Sequence, residues 1–238
     1  MTRRRWIADE VSGNQAALTG AHADHLIRVL RARMGQEFDI VVDGVVRRGQ
    51  VTGIGEKRVT FTLGEAVSSE GASVNLTLLL AVFKFDRMEW AVEKATELGV
   101  ARIIPVIARR TDAHLASASM KRAERWRRIV VQAAEQSRRT YPPELNDPMT
   151  LRDAAELPAA LRVVLSEAEQ ETSLKDAVAA NQNASEVLLA IGPEGGWTQD
   201  ELELLQKAGW ISVSLGPTIL RAETAAIAAV AITTAQLA

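Results

Sequence analysis

The sequence predicts an α/β protein, in which a large domain on a parallel sheet follows a small β-rich domain. Three observations predict this. From residue 74 onward, short apolar runs alternate with amphipathic helical segments, the pattern of a parallel sheet covered on both faces. Before residue 70 the apolar runs are strand-like, and Asp43-Gly44 between two of them is a hairpin signal. Near the C-terminus stand two glycine-bearing segments, Ile191-Gly192-Pro193-Glu194-Gly195-Gly196-Trp197 and Leu215-Gly216-Pro217-Thr218-Ile219-Leu220-Arg221. Each follows a strand-like run and leads into a helix. Two such turns side by side on one edge of a parallel sheet would line a small-ligand pocket with exposed backbone groups.

In the first part, residues 22–33 carry Leu26, Val29 and Leu30 at helical spacing, and Gly35 follows the end. Strands are predicted over 38–42, 45–51 and 59–63. The small, polar stretch Ser68-Ser69-Glu70-Gly71-Ala72-Ser73 reads as a boundary, giving domains at 1–70 and 74–238. In the second domain strands are expected at 74–82, 103–108, 161–165, 187–191 and 211–215. Helices are expected at 87–98, ended by Gly99, and at 121–139, with Trp126, Ile129, Val130 and Ala133 on one side. A shorter helix covers 174–180. Another opens at Thr198, with Glu201 completing a capping box, and ends at Gly209. The last helix, 224–237, has no charged side chain and is shorter than the ~20 apolar residues of a bilayer span. Hydrophobic all round, it is expected to be buried on more than one side, between two subunits or, as the alternative, wholly inside a monomer.

Composition narrows the chemistry. The chain has 238 residues, 47% of them apolar, and no cysteine, which excludes disulfides, thiolate metal sites and cysteine nucleophiles. Only His22, His25 and His114 are available, so no metal is expected. The N-terminus is basic but lacks the apolar core of a signal peptide, and a cytoplasmic protein is expected. The net charge of −2 hides an asymmetry. Residues 1–139 hold 23 Lys+Arg against 16 Asp+Glu, and residues 140–238 hold 5 against 14. A basic front half suits a polyanion, and contact with nucleic acid is expected, the alternative being charges that only solvate helices.

The glycine turn at 192–196 has neither Gly-x-Gly-x-x-Gly spacing nor the Lys-Ser/Thr of a phosphate loop, and Glu194 suits a cationic or amino-bearing ligand. Arg221 and Glu223 open the last helix. The helix dipole favours Glu223 there, but an arginine gains nothing from it and requires a partner carboxylate or an anionic ligand. Lys84 and Arg87 flank the end of the first parallel strand, where ligand sites gather. Arg109 and Arg110 after the next strand, and Arg138 and Arg139 closing a basic helix, read as phosphate contacts or as solvated ends. Arg3, Arg4 and Arg5, with His25, Arg28, Arg31 and Arg33, read as RNA backbone contacts. At 4% aromatic residues, a base-stacking surface is not expected.

At these residues the chain resembles the ribosomal RNA small subunit methyltransferase E family, of the SPOUT superfamily of knotted methyltransferases. The likeness rests on Ile191-Gly-Pro-Glu-Gly-Gly-Trp-Thr and Ser214-Leu-Gly-Pro-Thr-Ile-Leu-Arg-Ala-Glu-Thr-Ala. It continues in Lys94-Ala-Thr-Glu-Leu-Gly-Val, Glu135-Gln-Ser-Arg-Arg and His25-Leu-Ile-Arg-Val-Leu-Arg. The chain departs from the family pattern at Asp24, where a second histidine is frequent, and at Pro217-Thr218, where a basic residue is. The resemblance implies a PUA-like N-terminal β-barrel, a C-terminal SPOUT domain with a deep trefoil knot, a homodimer, and S-adenosylmethionine as methyl donor. It implies a cofactor pocket from Leu165, Ser166 and Glu167, from Ile191, Gly192, Glu194, Gly195 and Gly196, and from Leu215, Gly216 and Leu220. The implied product is N3-methyluridine in the decoding region of 16S rRNA. Arg221 is then expected to stabilise charge on the uracil, and Glu223 is a weaker candidate for accepting its proton. Competing readings are a related enzyme for ribose 2′-oxygen or another base, and a non-catalytic RNA-binding or assembly factor.

Overall fold

The computed structural model describes residues 5–67 and 75–237. Arg3, Arg4 and the expected boundary at 68–73 lie outside the described residues. The chain divides into two compact units, Met1–Ala72 with Ala134–Pro142, and Ser73–Ala133 with Pro143–Ala238. The first unit thus takes in a nine-residue segment from far along the chain, which a single linker does not anticipate.

The first unit holds a six-stranded sheet in the order β1-β4-β5-β6-β3-β2. Its strands are β1 (Arg5–Ile7), β2 (Glu10–Ser12), β3 (Gln15–Thr19), β4 (Glu37–Val42), β5 (Val45–Ile54) and β6 (Arg58–Val67). Pairing is antiparallel except between β1 and β4. Asp43 and Gly44 have φ of 47° and 75°, the left-handed pair that a two-residue hairpin with matching twist requires. The first three strands are too short to register as strands in the sequence. Strand β1 is recruited by β4 and β3 by the longer β6, and β2 adds to β3.

The helix expected at 22–33 is not one helix. Helix α1 (Gly20–Asp24) passes into a π turn, His25–Val29, in which the Leu30 amide donates to the His25 carbonyl. Leu26 is buried, but Val29 and Leu30 are 64% and 44% exposed, so the apolar spacing does not mark a buried face. Tertiary packing overrides it: the rings of His22 and His25 both lean on Trp6, with centroids 5.9 and 5.5 Å away. Trp6 belongs to a core with Leu18, Leu26, Ile40, Val59 and Phe61.

The second unit is an all-parallel sheet in the order β10-β8-β7-β12-β11-β13, with β9 also on β8. Its strands are β7 (Asn75–Ala81), β8 (Arg102–Ile107), β9 (Glu144–Leu145), β10 (Met149–Thr150), β11 (Leu161–Leu165), β12 (Glu186–Ile191) and β13 (Ile211–Val213). The helices are α2 (Phe85–Glu97), α3 (Ala113–Gln136), α4 (Leu151–Ala155), α5 (Leu174–Ala179), α6 (Gln199–Lys207) and α7 (Ala222–Leu237). Along β7, Leu76, Leu78 and Leu80 enter a core with α2, α3, α5 and α7, while Leu79 and Ala81 enter one with α4 and α6. Burial on both faces is why these strands read as unbroken apolar runs.

Helix α3 starts eight residues before its expected beginning, because Asp112 accepts from the amides of His114 and Leu115. Helix α7 also starts earlier, so that Glu223 lies inside it. It packs on α2 and α5 through Ala226, Ala229, Val230 and Thr233, leaving Ile227, Ala228, Ala231 and Ile232 half-buried.

Candidate functional site

The carboxyl ends of β12, β11 and β13 stand next to one another, and the loops leaving them enclose a pocket of about 480 Å³. The two glycine turns are not neighbours, as the sequence suggested. Strand β11 lies between β12 and β13, so the loop after Leu165 separates them. That interposed strand is why three loops, not two, build the site.

Every residue assigned to the cofactor pocket lines it: Leu165 and Ser166, then Ile191, Gly192, Glu194, Gly195 and Gly196, then Leu215, Gly216 and Leu220. Glu167 and Arg221 line it as well. Gly196 and Gly216 have φ of 69° and 119°, so both turns use backbone that side chains rarely adopt. A Cβ on Gly192 would meet the Trp197 ring at 3.2 Å. Trp197 itself is buried, and its indole N–H donates to the Leu165 carbonyl at 3.1 Å. Trp197, which follows the turn at 192–196, and Arg110, which follows β8, line the pocket as well; neither is assigned to it from sequence, where Arg110 reads as a phosphate contact.

Glu201 fastens this region from below. One carboxylate oxygen accepts from the Arg109 amide at 2.7 Å, and the other from the Thr198 amide at 2.8 Å, completing the expected capping box. Glu201 is buried, so Glu201→Ala leaves these amides without their acceptor. A loss of about 1–3 kcal/mol of stability is expected in urea unfolding, with Glu201→Gln recovering part of it. In the loop after β11, the amides of Thr172 and Glu171 donate to Glu169 and hold its carboxyl below its ordinary value of 4.5. A lowered carboxyl stabilises the fold above the ordinary value and loses that contribution as the pH falls through the lowered one. Glu169→Ala is therefore expected to speed amide hydrogen exchange at Glu171 and Thr172 at neutral pH. The difference from wild type should close in acid below 4.5.

Arg221 is exposed at the pocket wall and has no ion-pair partner among the described residues. Glu223 does not join it. It is buried on the α2 side, outside the pocket lining, with one oxygen 3.8 Å from Arg87. The other oxygen has no hydrogen-bond partner among the described residues. Alternate positions at a helix start face different ways, which separates the two candidates. Arg87 is accordingly half-buried in this pair, and only Lys84 of the two stands exposed.

The other basic candidates differ in accessibility. Arg28, Arg31 and Arg33 are exposed on the first unit, Arg28 lying 3.7 Å from Asp24. His25 is half-buried against Trp6. Arg5 donates to the Arg138 carbonyl. Arg139 is half-buried, and desolvation lowers its guanidinium pKa; a charge withdrawn from water in this way is poorly presented to phosphate. Arg109 and Arg110 are both exposed, and Arg110 turns onto the carbonyls of Gly195 and Trp197. Among the described residues no group of His, Asp and Glu could hold a metal ion, and no helix is long and apolar enough to cross a membrane.

Comparison with known proteins bears on both units. Residues 70–234 match the model of an RNA methyltransferase domain, and residues 18–64 that of an RNA methyltransferase PUA domain. Ribosomal RNA small subunit methyltransferase E of Rickettsia conorii is 36% identical over 213 residues, covering 88% of this chain and 85% of the relative. The protein of the same name from Aquifex aeolicus is 30% identical over 227 residues, covering 94% and 96%. A crystal structure of ribosomal RNA small subunit methyltransferase E from Neisseria gonorrhoeae, bound to S-adenosyl methionine, superposes with a TM-score of 0.86 at 29% identity, covering 97% and 96%. With a PUA-like N-terminal domain and a SPOUT-type parallel sheet, the chain belongs to the ribosomal RNA small subunit methyltransferase E family.

Proposed function

We propose that this chain transfers a methyl group from S-adenosylmethionine to N3 of a uridine in the decoding region of 16S rRNA. The observation that carries this reading is the convergence of three strand-end loops on one pocket with an unpaired arginine at its wall. The pocket, at about 480 Å³, has the size of a small-molecule site. Its lining suits the donor: Leu165, Ile191, Leu215 and Leu220 offer apolar contact, and Glu167 and Glu194 offer carboxylates to a cation. The bound donor in the Neisseria gonorrhoeae relative supports the same assignment. When bound, S-adenosylmethionine supplies an electrophilic methyl group on a sulfonium.

The chain's own residues then have to orient a weakly acidic nitrogen and stabilise its anion. Methylation at carbon-5 of a pyrimidine usually needs an added nucleophile, commonly cysteine, and this chain has none. A nitrogen needs only deprotonation and alignment. Arg221 is assigned to the uracil carbonyl oxygens, where negative charge grows as the N3 proton passes to solvent water. Glu223, turned toward Arg87 and away from the pocket, is assigned to orienting the first turn of α7 instead of accepting the proton.

The exposed Arg28, Arg31, Arg33 and Arg109 are assigned to RNA backbone. A homodimer is supported by the half-buried apolar positions Ile227, Ala228 and Ala231 on α7, which do not pack against the chain's own core. The trefoil knot that family membership implies is part of this reading. The test is incubation of unmethylated 30S particles with the protein and S-adenosylmethionine, followed by nucleoside mass spectrometry. N3-methyluridine is expected. A 2′-O-methylated or other base product would overturn the position assigned, and absence of both product and donor binding would overturn the reading as a whole.

A further inference from the structure

Arg110 follows β8, in a stretch that the sequence alone assigns to RNA phosphate. In the structure its Nη1 donates to the Gly195 carbonyl at 2.5 Å and to the Trp197 carbonyl at 3.3 Å. Its aliphatic stem lies along the same turn, because a Cβ on Gly195 would stand 3.3 Å from Arg110 Cδ. Trp197 in turn donates to the Leu165 carbonyl at the end of β11. One guanidinium therefore holds the turn after β12, and through Trp197 that turn is tied to the start of the next pocket loop.

The base of this brace is itself anchored. The Arg109 amide is held by Glu201, the Ala108 amide by the Thr111 hydroxyl, and that hydroxyl donates to the Val82 carbonyl just beyond β7. A side chain leaving so fixed a backbone, with donors directed at two carbonyls, holds a loop more effectively than one on a free-ended strand. Loops already held in their binding arrangement do not have to be ordered when the ligand arrives, which raises affinity without any added contact.

We infer that Arg110 is a positioning residue of the cofactor pocket, not an RNA phosphate contact. This rests on the reading of the pocket as the S-adenosylmethionine site. The test compares wild type, Arg110→Ala and Arg110→Lys by calorimetric titration with S-adenosylmethionine, and by binding to unmethylated 30S particles over a series of salt concentrations. Arg110→Ala is expected to weaken donor binding about tenfold or more and to raise KM for the donor. Near-wild-type kcat should return at saturating donor, since Arg110 is assigned no contact with the reacting atoms. Arg110→Lys, which keeps one point donor in place of a fork, should recover part of the affinity. Affinity for the particle and its salt slope should be unchanged.

Three results overturn the inference. One is donor affinity within about twofold of wild type. Another is weakened particle binding with a salt slope reduced by about one, the signature of a lost phosphate contact. An equal loss of both affinities, together with a lowered Tm, would make Arg110 a general structural residue and also overturn it. If wild type itself bound no donor, the pocket reading would fall; donor binding by wild type with unchanged variants sinks only the role of Arg110.

Discussion

Arg221→Ala is expected to slow methyl transfer by about 10²–10³-fold while S-adenosylmethionine affinity stays within about threefold of wild type. The expectation follows from placement. Arg221 is exposed on the pocket wall immediately before the first turn of α7, where the helix dipole opposes a cation, and no described carboxylate pairs with it. A charge held at that electrostatic cost is suited to an anion that exists only as the reaction proceeds. Removing it should therefore lower kcat far more than donor binding. Arg221→Lys should keep part of the charge stabilisation but lose the fork that can address a carbonyl oxygen from two nitrogens. Glu223→Gln, by contrast, should reduce kcat by less than about tenfold, because Glu223 lies outside the pocket and a neutral amide still fits beside Arg87. Single-turnover kinetics with 30S particles, alongside calorimetry with the donor, separate these outcomes. Equal loss of donor affinity and rate in Arg221→Ala would defeat the assignment.

The largest effect on stability is expected from Trp126→Ala, about 3–5 kcal/mol in urea unfolding. Trp126 is fully buried on α3 and meets Phe85 of α2 edge-on, with ring centroids 5.8 Å apart. The guanidinium of Arg122 lies 5.2 Å over the same Phe85 ring, and Glu89 pairs with both Arg122 and Arg125. Truncation therefore opens a cavity beneath a seam where α2 and α3 are also joined by charge. Trp126→Phe should cost clearly less. Its ring refills most of the space, and it removes an indole N–H that is buried without a hydrogen-bond partner among the described residues. Equal costs for the two variants would mean that ring packing is not what Trp126 contributes.

The α/β part of the chain was legible because its strands are covered on both faces. Residues 161–165 coincide with β11, and 187–191 falls within β12, since every side chain along them is apolar or half-buried whichever way it points. The capping box at Thr198 and Glu201 was equally legible, because both partners sit within one helical turn. The front of the chain was not. Gln15–Thr19 and Arg5–Ile7 have little strand character of their own and become strands only by pairing with β6 and β4. The stretch 22–33 has helical spacing, yet Trp6 draws in the two histidine rings and leaves Val29 exposed. Nor does any local signal say that Ala134–Pro142, at the end of α3, belongs with the first unit.

The sequence by itself determined the two-part character of the chain, the strands and helices of its second part, and the glycine turns from which the pocket is made. These follow from local chemistry: which faces are apolar, where φ must be positive, and which carboxylate caps which amide. Only the tertiary structure decided that β11 separates the two glycine turns, that Arg221 meets the pocket while Glu223 meets Arg87, and that Arg110 turns back onto Gly195 and Trp197. The physical reason is common to all three. Charge and spacing say what a side chain can bind, but its partner is set by strand order and helix rotation, which depend on packing between residues far apart in the chain.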